Sequence, residues 1–123
     1  MQNVQWAWCG VNHVTKTVFF NAWEKLNTSK MSWIILDKNW RGQNDHNLPG
    51  MKDALAKIDL VLNEGYNFGF FLAVNKGEPI TLENYKTFGT AEIDYIKGSF
   101  YFEANLVEQD NFVIAEVVKR IDL

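Results

Sequence analysis

Residues 51–74, MKDALAKIDLVLNEGYNFGFFLAV, hold both element types of this chain back to back. Met51, Leu55, Ile58 and Leu62 recur at helical spacing, and Ala54 and Val61 widen the apolar stripe. Asp53 falls in the first turn, where a carboxylate complements the helix dipole, and Gly65 supplies a C-terminal stop. This spacing predicts a helix over 51–64. Its other face (Lys52, Asp53, Lys57, Asp59, Glu64) reads as solvated surface. Past Gly65 the period changes: residues 67–74 are almost continuously apolar, which predicts a buried strand. The turn residues Asn75-Lys76-Gly77-Glu78-Pro79 end it.

Working outward, residues 88–96 alternate, with Ala91, Ile93 and Tyr95 on one side and Thr90, Glu92 and Asp94 on the other. Lys97-Gly98 reads as a turn, and residues 99–106 return with Phe100, Phe102 and Ala104 inward, a hairpin pattern. Asp110-Asn111 turns again into residues 112–121, so the expectation is a C-terminal meander of three antiparallel strands. Residues 81–86 read as one helical turn or a short connection. On the N-terminal side, residues 32–36 predict a strand, and residues 4–8 alternate with Val4, Trp6 and Trp8 on one face. Residues 17–26 carry both signals: Phe19, Ala22, Trp23 and Leu26 fit a helix, while Thr17-Val18-Phe19-Phe20 has strand composition. The reading adopted is a strand running into a turn. The expected fold class is α+β: five or six mostly antiparallel strands, curled or closed into a small barrel-like sheet, with one main amphipathic helix in a single domain over 1–123.

Composition narrows the function classes. Apolar residues make up 47% and charged residues 22% of the 123, which suits a packed core and not a disordered chain. The net charge of -3 excludes a globally basic nucleic-acid binder, but the charge is unevenly placed. Residues 1–57 hold seven Lys/Arg against four Asp/Glu, and residues 58–123 hold five against eleven. All five Trp lie in the first, basic stretch, so an anionic partner is expected there. A single Cys excludes an internal disulfide, no secretory pattern opens the chain, and the apolar runs are too short to span a bilayer. The expected setting is the cytoplasm, with no membrane partner.

Catalytic chemistry finds little support. Cys9 and His13 are four apart on a strand leading into a loop, a spacing that does not bring them together. Two His and one Cys fall short of a structural zinc site, and no phosphate-binding or dinucleotide motif occurs. Glu92 and Asp94, with Glu103 across the expected hairpin, could converge on magnesium, which keeps a small metal-dependent hydrolase as a second alternative. The alternation of an exposed sheet face explains the same acids. No cofactor is expected, and the balance leans away from an enzyme.

Binding remains. Unpaired or flipped bases are held by aromatic stacking, hydrogen bonds to the base edge, and cations on the phosphates. The candidate ligand-binding residues are Trp6, Trp8, Asn12, Trp33, Asp37, Lys38, Asn39, Trp40 and Arg41, concentrated around the long polar loop over 37–47. In this reading Trp40 and one of Trp6 or Trp8 stack a base, Asp37 or Asn39 reads its edge, and Lys38 and Arg41 meet phosphate. The expected partner is DNA or RNA with a modified or flipped base. The alternative is a protein-interaction or inhibitor module of accessory or phage type, since interfaces favour the same aromatics and Arg.

Gly65-Tyr66-Asn67-Phe68-Gly69-Phe70-Phe71-Leu72, a turn into a strand after a helix, and Phe88-Gly89-Thr90-Ala91-Glu92-Ile93, a G-x-A-E-I strand, together resemble the PUA-like superfamily with its EVE, ASCH and YTH domains. The resemblance implies a small curled barrel that binds RNA or a modified base in an aromatic pocket. It spans about thirty residues and carries no pocket residue over to this chain.

Overall fold

The computed structural model describes residues 9–37, 51–85 and 93–123. The expected strand over 4–8, the loop from Lys38 to Asn47 and residues 88–92 lie outside the described residues. The described chain forms β1 (Cys9–Asn12), β2 (Thr17–Trp23), β3 (Asn27–Ser29), β4 (Ser32–Asp37), α1 (Met51–Glu64), β5 (Asn67–Asn75), β6 (Ile93–Ile96), β7 (Phe100–Gln109) and β8 (Phe112–Asp122). All eight strands join one curled, unclosed sheet in the order β1-β2-β5-β7-β8-β4-β3, with β6 also on β5. The α+β expectation holds, with more strands than the five or six expected. The additional ones are short: β1 has four residues and β3 three, too few for a period of two to be visible.

Every described pairing is antiparallel except β2 with β5, which runs parallel from Thr17↔Asn67 to Trp23↔Ala73. A parallel pair needs a long crossover, and here β3, β4 and α1 make it. The crossover lays α1 against the face of the sheet that carries the main core. Ala54 and Ile58 are buried there with Val18, Phe20, Leu72 and the aromatic residues Trp33, Phe68 and Phe70. The helix bounds agree with the expected 51–64, but its buried line does not. Leu55 and Leu62 are 37% and 39% exposed, while Leu60 and Val61 pack on the core. The small side chain of Ala54 lies at the interface, so the helix is rolled towards it and away from its bulkiest residues.

The expected hairpin over 88–106 is a correction. β6 does not pair with β7. Instead Ile96 and Tyr95 sit opposite Ala73 and Val74, and Phe102 and Ala104 sit opposite Phe70 and Phe68. β6 and β7 therefore follow one another along the same edge of β5, interrupted by residues 97–99. Lys97 donates its backbone N–H to the Leu72 carbonyl, and Gly98, at φ 70°, kinks the chain into β7. A Lys-Gly pair is a turn signal in either arrangement, and the long-range register with apolar β5 prevails over the local hairpin. The β7–β8 half of the meander is as expected, closed by Asp110 at φ 56° and Asn111.

A bulge between Ile34 and Leu36 turns consecutive Ile35 and Leu36 both towards the main core. Ile34 faces the other way and builds a second cluster with Leu26, Ile80 and Tyr85, joined by Trp23, Phe112 and Ile114. Asn84 pins the covering segment, accepting from the Thr81 N–H and donating to the Pro79 carbonyl.

Candidate functional site

Strand alternation gives β2, β5 and β7 two aromatic faces. Phe20, Phe68, Phe70 and Phe102 point to the core, while Phe19, Phe71 and Tyr101 stand half-buried on the opposite, outer face. The outer rings form a contiguous row: Tyr101 meets Phe19 edge-on at 5.1 Å between centroids and Phe71 at 5.6 Å, and Phe19 lies 6.0 Å from Phe71. Gly69 makes this possible. A Cβ there would lie 2.9 Å from Tyr101 Cδ2 and 3.0 Å from Phe19 Cε1, so the two rings close over bare backbone. In the same ladder Glu103 sits opposite Gly69, and its carboxylate lies 4.0 Å from the Lys119 ammonium.

Sequence reasoning missed this row. Residues 67–74 are apolar on both faces, so the strand's composition says nothing about which rings face solvent. The one available signal was a glycine in mid-strand, which marks a close approach.

The predicted residues that are described occupy three separate settings. Trp33 is 8% exposed, its ring stacked on Phe102 at 5.5 Å and tilted against Phe70 at 5.6 Å, with Nε1 donating to the Glu24 carbonyl at 3.0 Å. That is an interior packing position. Asp37 ends β4 at 5% exposure, where the Tyr85 hydroxyl donates to its Oδ2 at 3.3 Å. Burial, followed by the Asp37 charge and its hydrogen bond, raises the Tyr85 pKa above its ordinary value. Asn12 lies on β1, and its exposed side chain accepts from the Val14 and Thr15 N–H groups, forming the β1–β2 turn. Trp6, Trp8, Lys38, Asn39, Trp40 and Arg41 lie outside the described residues.

The other chemical candidates separate. Cys9 donates to Asp53 Oδ2 at 3.6 Å, and His13 Nδ1 lies 2.9 Å from the Tyr66 hydroxyl, so each has its own partner. Asp53 is drawn below the usual carboxylate range, chiefly by hydrogen bonds from Lys57, whose ammonium lies 2.7 Å from both of its oxygens. Burial pushes the Cys9 thiol up to about 11 from 9.0. At pH 8 the thiolate fraction then falls about 100-fold, and only the thiolate is nucleophilic. Reaction of the native protein with dithiobisnitrobenzoate is expected to be slower than that of the urea-unfolded chain by about that factor. Comparable rates would show an accessible, ordinary thiol. In stability terms, this raised pKa favours the fold fully below pH 9, and the contribution is lost as pH rises through about 11.

The acidic trio does not assemble as expected. Asp94 and Glu103 belong to successive stretches of one strand line, so they do not face each other across a hairpin, and Glu92 lies outside the described residues. Among the described residues no three His, Cys, Asp or Glu side chains come together as a metal-binding group. No described helix is long and apolar enough to cross a membrane.

No family model, curated protein or solved structure matches the chain. A functional reading therefore rests on the outer aromatic row and its surroundings.

Proposed function

We propose that this chain is a non-catalytic binding module for nucleic acid or a modified base, acting in the cytoplasm. The observation that carries the reading is the Phe19–Phe71–Tyr101 row, half-exposed across three neighbouring strands. Rings presented on an open sheet face are the surface on which unpaired bases stack, and each base stacked contributes about 1–3 kcal/mol. Trp40 and one of Trp6 or Trp8 are proposed to add stacking surface, with Asn39 reading a base edge and Lys38 and Arg41 meeting phosphate. The resemblance to the PUA-like superfamily supports the same class of ligand.

The test is a panel of single- and double-stranded oligonucleotides, modified and unmodified, titrated at low salt with Trp fluorescence and mobility shift as readouts. At least one single-stranded or modified member is expected to bind, and binding through phosphate weakens as salt is added. No response from any member overturns the reading. A single stoichiometric protein captured in its place, insensitive to nuclease, supports the protein-interaction alternative.

A further inference from the structure

The charges in register with the rings say which part of a nucleic acid this face suits. On the outer face Glu103 follows Tyr101 along β7 and stands opposite Gly69; Lys119 stands opposite Glu103 on β8, and the two side chains approach within 4.0 Å. The Glu103 and Lys119 charges offset each other, and exposed Glu116 opposite Asn105 adds a carboxylate, so the ladder positions beside the rings carry no excess of positive charge. Exposed amide side chains continue the same rows, Asn67 beside Thr17 on β5 and Asn105 beyond Glu103 on β7. A sugar–phosphate backbone is held by cations, and a duplex presents phosphates and base edges while its base faces stay stacked. An unpaired base instead offers an uncharged π-face and polar edges, which match rings flanked by amides.

Resting on the proposed nucleic-acid reading, we infer that the outer face takes unpaired bases of a single strand, held through their π-faces and not through the phosphate backbone. Three rings 5.1–6.0 Å apart on adjacent strands offer separate contacts to neighbouring unstacked bases.

The experiment compares a 12-nucleotide oligothymidylate with an abasic strand of equal length and charge, using the wild-type chain over a range of salt concentrations. The abasic strand is expected to bind at least about tenfold more weakly. The slope of log affinity against log salt is expected to be no steeper than about -1.4, the share of the two contacts proposed for Lys38 and Arg41 at about 0.7 each on a single strand. Phe71→Leu and Tyr101→Leu, checked for unchanged circular dichroism, should each weaken oligothymidylate binding about fivefold or more. Equal binding of both strands with a steep salt slope overturns this inference and leaves the broader nucleic-acid reading in place. No binding of either strand, together with silence across the wider oligonucleotide panel, overturns both.

Discussion

Trp33→Ala is expected to remove about 3–5 kcal/mol of stability, the range for deleting a large buried aromatic side chain. Trp33 lies in the main core, stacked on Phe102 and tilted against Phe70, two of the residues that join β5 to β7. Truncation leaves a cavity that these rings cannot fill without leaving their own contacts, and it takes the indole donor from the Glu24 carbonyl. That carbonyl lies just after β2, and Trp33 lies on β4, so the bond ties together two strands that are far apart in the sheet order. Urea unfolding should show the loss as a lower midpoint at similar slope, and the melting temperature should fall by more than about 10 °C. Trp33→Phe keeps much of the ring contact and is expected to cost less than Trp33→Ala. A loss below about 1 kcal/mol for Trp33→Ala would mean that the ring is not part of a tightly packed interior.

Gly98→Ala is the second large effect, expected at about 2–5 kcal/mol. Gly98 has φ 70°, and an alanine Cβ there would sit 2.5 Å from Phe100 Cε1 and 2.8 Å from Cδ1. The left-handed backbone costs an L-residue about 1–2 kcal/mol, and forcing a packed ring aside about 1–3 more. Phe100 has little freedom to yield, being edge-on to Phe102 at 5.3 Å with the Arg120 guanidinium 4.1 Å from its ring centroid. Gly77→Ala is the control, since its φ is 88° but nothing lies within 4 Å of the added Cβ. It should lose only the conformational part, about 1–2 kcal/mol. Adding Phe100→Leu to Gly98→Ala should relieve the clash, so the pair should cost less than the two single changes added together. Equal costs at Gly77 and Gly98 would show that the ring moves aside freely.

The candidate site was less legible than the fold. Local signals carried the helix, β4, β5 and the β7–β8 hairpin, because each depends on periodicity or turn chemistry within about ten residues. Trp33 was attractive as a stacking residue for the same reason that it is a core residue, since a large aromatic side chain in an apolar run serves both roles. Phe19, Phe71 and Tyr101 were not singled out, because only the registers Phe19↔Gly69 and Gly69↔Glu103 bring residues so distant in sequence into one row. Asp37 was picked from its polarity at the start of a loop, while its burial and its contact with Tyr85 depend on a segment 48 residues away.

From the sequence alone came the α+β class, the bounds of α1, the apolar character of β5, and the concentration of Trp and positive charge in residues 1–57. These are properties of composition and short-range period, which act within one element. The tertiary structure decided which strand β6 would join, how α1 is rolled, and which face of β5 carries the outer rings. Those choices compare alternatives that are equal locally: β6 can bond to β7 or to β5, and a strand apolar on both sides can turn either row outward. The outcome is set by long-range register, by the space Gly69 leaves for Tyr101, and by the crossover through α1, which covers one face of the sheet and leaves the aromatic row on the opposite face of β2, β5 and β7.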